Sequence, residues 1–77
     1  FGFQIFPNPA SNEINLHLNS IPVNCKIEII NLLGEKIISQ AITASTTSIN
    51  IQKLSIGIYF IKVSSDKFTE VKRVVKE

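Results

Sequence analysis

The sequence predicts an all-β fold, a seven-stranded antiparallel immunoglobulin-like β-sandwich, on three observations. Apolar and polar residues alternate with a period of two in short runs, the pattern of strands with one buried face. Those runs are rich in isoleucine and valine, whose branched Cβ suits a pleated surface. Turn-forming residues separate the runs every eight to twelve positions or about that, the spacing of an immunoglobulin-like sandwich.

The elements follow in order. A short opening strand covers residues 3–6. Glu13-Ile14-Asn15-Leu16-His17-Leu18 places Ile14, Leu16 and Leu18 on one face and Asn15 and His17 on the other. Residues 26–30 repeat the device, with Ile27 and Ile29 inward and Lys26 and Glu28 outward. Asn31-Leu32-Leu33-Gly34-Glu35-Lys36 then turns the chain, Gly34 supplying the positive φ of a tight or bulged hairpin, and a partner strand returns over about 35–42. Residues 46–51 alternate again, with Ile49 and Ile51 inward. Gly57-Ile58-Tyr59-Phe60-Ile61-Lys62-Val63 is the strongest β-former: Tyr59, Ile61 and Val63 share a face, and Ile58 and Phe60 predict cover or a partner on the other. A turn at Ser64-Ser65-Asp66-Lys67 leads to a last strand over 68–75. Pro7, Pro9 and Pro22 fall between strands, where a missing N–H does no harm.

Composition bounds the rest. The chain has 77 residues, 44% of them hydrophobic and 18% charged, too apolar for disorder, so residues 1–77 read as one domain near the lower size limit for a single core. With no methionine in the sequence, Phe1 is not expected to begin a translation product, and the chain is expected to be a fragment of a larger secreted protein. No apolar run approaches the roughly 18 residues of a membrane span, so direct membrane insertion is not expected. Cys25 is the single cysteine, which leaves no internal disulfide and reads as a small buried or half-buried hydrophobe, with a reactive thiol as the alternative. The net charge is +2. Lys67, Lys72, Arg73 and Lys76 crowd the end of the chain, but Asp66, Glu70 and Glu77 are interleaved and no aromatic platform accompanies them. A solvated strand face is therefore read there, and nucleic acid is not.

No constellation carries catalytic chemistry, and no cofactor or metal is expected. His17 alternates outward, without a nucleophile motif beside it. The carboxylates are scattered at strand ends and outer faces. Phe6-Pro7-Asn8-Pro9-Ala10-Ser11-Asn12 stands out as a stiff, pre-shaped corner, because each proline fixes its own φ and restricts the residue before it.

That corner followed by Ile14, then Ile29-Ile30-Asn31-Leu32-Leu33-Gly34-Glu35-Lys36-Ile37, then Ile51-Gln52-Lys53-Leu54-Ser55-Ile56-Gly57-Ile58-Tyr59-Phe60-Ile61-Lys62-Val63, and finally Lys72-Arg73-Val74-Val75-Lys76, closely resemble the type A C-terminal sorting domain of the type IX (Por) secretion system. The resemblance spans essentially the whole chain. It implies a non-enzymatic seven-stranded sandwich closing a cargo protein of Bacteroidetes-type bacteria. The cargo would transit the periplasm to become secreted or cell-surface. The implied partners are the outer-membrane translocon, its shuttle protein, and a surface sortase that cleaves upstream and can join the cargo to an anionic lipopolysaccharide. Pro7, Asn8 and Pro9 match the opening motif, Gly34 the hairpin glycine, and Gly57 and Tyr59 the glycine-x-tyrosine strand. These six are read mainly as structural. Lys72, Val74, Val75 and Lys76 match the basic-apolar ending. With Arg73 they are the expected recognition residues, on a final strand offering charge and an edge for strand addition. Phe6 stands where the family often has tyrosine, and Ile56 where small or polar residues are usual. The competing readings are a carbohydrate-binding or adhesion sandwich, for which exposed aromatics are few, and a structural spacer.

Overall fold

The computed structural model describes residues 2–77, and in it the alternation resolves into two facing sheets. The described residues form strands β1 (Phe3–Phe6), β2 (Glu13–Leu18), β3 (Lys26–Ile30), β4 (Lys36–Ala41), β5 (Thr46–Asn50), β6 (Gly57–Ser64) and β7 (Thr69–Lys76). One sheet has the order β1-β2-β5 and the other β4-β3-β6-β7, with every strand pair antiparallel. The chain changes sheets between β2 and β3, between β4 and β5, and between β5 and β6. This is the all-β immunoglobulin-like sandwich that the sequence predicts.

The inward residues are those the period of two selects. Ile14, Leu16 and Leu18 of β2 meet Ile27 and Ile29 of β3 and Ile61 and Val63 of β6 in one core, all removed from water. Burial of each side chain is worth about 1.5–3 kcal/mol. Ile49, Ile51, Tyr59 and Val74 extend the core toward one end and Phe3 and Cys25 toward the other. Burial pushes the free thiol of Cys25 above its ordinary pKa, so it stays protonated and packs as a small apolar group.

Two turns are held by side chains. In the β3–β4 hairpin, Asn31 Oδ1 accepts from the N–H groups of Leu33 and Glu35 at 2.9 and 3.0 Å, while Gly34 takes φ +85°. In the β6–β7 turn, Ser65 Oγ accepts from Lys67 and Phe68 N–H.

Two sequence expectations change. Glu28 does point outward but is only 2% exposed, because Lys36 on the neighbouring strand reaches over it and makes an ion pair of 3.1 Å. No third layer covers the outward face of β6 among the described residues. Ile58 there is partly open to solvent and Phe60 half-buried, each flanked instead by cross-strand neighbours: Val75 beside Ile58, and Ile30 and Arg73 beside Phe60.

Strand direction gives the sandwich two unlike poles along a body of 32 × 22 × 16 Å. Phe3 pairs with Leu18 at the first pole, together with the connections 19–25 and 42–45 and the turn 65–68. Lys76 pairs with Gly57 at the second, which also gathers residues 7–12, 31–35 and 51–56.

The Lys36 hydrogen bond, reinforced by the charges of Lys26, Lys36 and Lys62 and opposed by burial, holds the Glu28 carboxyl below the usual carboxylate range. A depressed folded pKa contributes stability above the unfolded value and loses it as pH falls through the folded one. Glu28→Gln is therefore expected to lower the urea midpoint at pH 7, with the gap to the parent closing at pH 3. An equal gap at both pH values would show that the pair contributes nothing.

Candidate functional site

Every motif segment singled out in the sequence reaches the second pole, and the structure shows what joins them. The chain leaves β1 through cis peptide bonds at Phe6-Pro7 and Asn8-Pro9 and passes from the edge of one sheet to the edge of the other. There Asn8 behaves like a piece of strand. Its Oδ1 accepts from Val75 N–H at 3.1 Å and its Nδ2 donates to the Arg73 carbonyl at 3.3 Å. Ala10 continues the contact: its N–H donates to the Val75 carbonyl at 2.8 Å, and its carbonyl accepts from Glu77 N–H at 2.7 Å. A parallel bridge between Ala10 and Lys76 results. Ala10 is buried, which suits a residue with no side chain beyond Cβ between two sheets, whereas Pro7 and Pro9 stay exposed.

On its other side β7 pairs with β6, Tyr59 lying opposite Val74 and Gly57 opposite Lys76. Gly57 takes φ +153°, a conformation L side chains rarely adopt. Tyr59 is 7% exposed, and its hydroxyl donates to the Ser55 carbonyl at 2.7 Å, tying the 51–56 connection to the core much as a tyrosine corner does. The last strand thus runs between the glycine-x-tyrosine strand and the proline corner, and three of the four motif segments form one hydrogen-bonded unit.

This placement alters what the tail can offer. The sequence reading has its residues accessible along a strand edge. In the structure Val74 is buried and Lys76 only 8% exposed. The Lys76 stem closes the apolar end of the core beside Ile51, Leu54 and Tyr59, while its Nζ donates to the Glu77 carbonyl at 2.8 Å, an ammonium reaching out from a buried stem. Lys72 points to the same inner side; its Nζ lies 4.9 Å from the Phe3 ring centroid and donates to the Phe3 carbonyl, closing the side of the sandwich between β7 and β1. The backbone edge of Arg73 and Val75 is occupied by residues 8–10. Of the five tail residues, Lys72 and Arg73 are exposed, Lys72 over the Phe3 ring and Arg73 on the outer face with half-buried Val75 beside it. Alternation alone could not show this, because either parity of the last strand reads equally well in a segment mixing lysine with valine.

Leu32, Leu33 and Ile56 were not singled out as site residues, and all three are exposed at this pole, Leu33 to 85% and Ile56 to 81%. The signal was present as apolar residues beside turn glycines. No group of three or more His, Cys, Asp or Glu among the described residues is placed to hold a metal ion.

With this geometry established, comparison supplies context. The family model described as a secretion system C-terminal sorting domain matches residues 4–77. Comparison with curated proteins gives no match. Among solved structures, the chain is similar to part of PorZ of Porphyromonas gingivalis, described as an essential bacterial surface component of the type-IX secretion system. The TM-score is 0.74 at 16% identity, over 99% of this chain. The chain spans 11% of the length of that protein, and at this identity the likeness concerns the fold.

Asn8→Ala removes both side-chain bonds to β7 and is expected to cost about 1–2 kcal/mol, read as a lower urea midpoint, with faster hydrogen exchange at the Val75 amide. Unchanged exchange at Val75 would mean that the corner does not hold the tail.

Proposed function

Because the chain belongs to the secretion system C-terminal sorting domain family, the C-terminal sorting signals of type IX secretion, we propose that residues 1–77 act as one folded, non-enzymatic address unit. A protein carrying this domain is exported to the surface or secreted. In our reading it crosses the periplasm folded at this end, is handed by a shuttle protein to the outer-membrane translocon, and is cut by a surface sortase upstream of the domain.

The observation that carries this reading is the separation of the poles. The first strand begins at the pole of Phe3, where a cargo attached ahead of the domain would join it, while the motif segments gather at the other. An attached cargo therefore leaves the motif pole and both sheet faces uncovered. Within the tail, we assign contact with the machinery to Arg73 and Val75. Lys72, Val74 and Lys76, with Pro7, Asn8, Pro9, Gly34, Gly57 and Tyr59, hold the shape that is read.

A sugar-binding module is less well supported. Stacking a sugar requires neighbouring open rings, whereas Tyr59 is buried, and Phe6 and Phe68 lie at opposite poles.

Residues 1–77 fused behind a periplasm-targeted reporter are expected to carry it outside a competent cell, and deletion of residues 72–77 to retain it in the periplasm. Asn8→Ala keeps the whole tail but loosens it. If shape is what matters, export of this variant falls in step with its folded fraction; if the tail is read as a bare linear sequence, export stays at the parent level. Periplasmic retention of the unmodified fusion would refute the sorting role.

A further inference from the structure

The two outward faces of the sandwich differ in chemistry. On the β1-β2-β5 sheet the outward groups satisfy one another. Ser48 Oγ donates to Asn15 Oδ1 at 2.5 Å, Asn15 Nδ2 donates to the Phe6 carbonyl at 3.3 Å, and His17 and Thr46 share a hydrogen bond of 3.2 Å. The central polar groups of that face are thus engaged with one another, and Glu13 is the ionised carboxylate on it.

The β4-β3-β6-β7 sheet presents the opposite. Cross-strand register places Lys36, Ile30, Phe60 and Arg73 in one row across its outer face. Ile58 with Val75 forms the next row toward the motif pole, and Glu28, Lys62 and Val71 the next row away from it. An apolar strip is therefore flanked by cations. Lys26, Lys36, Lys62 and Arg73 are four of the eight basic residues of the chain, and Glu28 is the one acid facing them among six. Its carboxylate is engaged by Lys36. Among the described residues the Lys26, Lys62 and Arg73 side chains have no ion-pair partner, so three positive charges stand unbalanced around the strip.

We propose that this face, centred on Phe60 and Arg73, docks an extended acidic segment of a protein of the secretion machinery, one in which Asp or Glu is interspersed with apolar residues. The proposal rests on the sorting-signal reading. Charge complementarity selects an anionic partner and speeds its encounter. A row that holds an apolar pair between two cations favours a polypeptide mixing acidic and apolar side chains over an anionic lipid or glycan surface. Along each strand the outward side chains repeat every two residues, about 6.8 Å, the spacing of same-face side chains in an extended segment laid along the strands. Arg73 joins the two readings, being the exposed tail residue on this face, with its carbonyl held by Asn8.

The test is photocrosslinking during export of the reporter fusion, with benzoylphenylalanine at Val71 on this face or at Gln4 on the polar face. We expect adducts from position 71 at about five times the yield of position 4, in a peptide of net negative charge. The double variant Lys62→Gln/Arg73→Gln is expected to reduce adduct and export by about tenfold, the scale of losing two charge contacts. Gln4→Glu/Asn50→Asp lowers the net charge of +2 by the same amount on the other face and is expected to stay within about twofold. Thermal midpoints of both variants verify folding. Equal adducts from position 4, adducts to lipid or glycan, or parental export of folded Lys62→Gln/Arg73→Gln would each overturn the proposal while leaving the sorting role intact. Failure of the unmodified fusion to export overturns the sorting reading and the proposal with it.

Discussion

The seam between residues 8–10 and the outer edge of β7 is the constraint on which the rest of the molecule depends. A two-sheet sandwich of this size has strand edges that invite water between the layers or another chain onto the backbone. Here the opening segment begins in one sheet and finishes against the other, so its own amides complete the last strand. Each bond is worth little alone, about 0.5–1.5 kcal/mol. Together they fix the position of Val74, which fills the core, and of Lys76, which caps it.

That seam changes the chemical meaning of the C-terminal segment. Lysines at the end of a chain suggest a solvated, readable tail, yet Lys72 and Lys76 direct their stems inward and find carbonyl partners for their ammonium groups. Their contribution is to close two openings of the sandwich with apolar stems while keeping each charge hydrogen-bonded.

Polarity is the second consequence. Antiparallel pairing puts the first and last strands in registers that separate the chain ends by the length of the body, and the two sheets carry unlike outer faces. The molecule therefore has distinct directions: a pole where the first strand begins, a pole where the motif segments gather, a self-satisfied polar face, and a basic-apolar face. A small domain with those four surfaces can be attached and read at the same time.

Much of this was legible before any coordinates. Strand positions, the inward sets Ile14, Leu16, Leu18 and Tyr59, Ile61, Val63, the hairpin glycine and the sandwich class all follow from a period of two and from turn chemistry, which are local properties written in adjacent residues. The exposure of Glu28 was misjudged because its cover comes from Lys36 on a neighbouring strand, which alternation along β3 cannot report. The burial of Val74 and Lys76 and the occupied edge of the last strand were not legible for the same reason at longer range: Asn8 and Val75 are 67 positions apart, and nothing in either segment specifies the other. The sequence by itself determined which residues would face a core and where the chain would turn. Only the tertiary structure decided which edges are closed and which cations remain unpaired, because those depend on how segments distant in the chain meet in space.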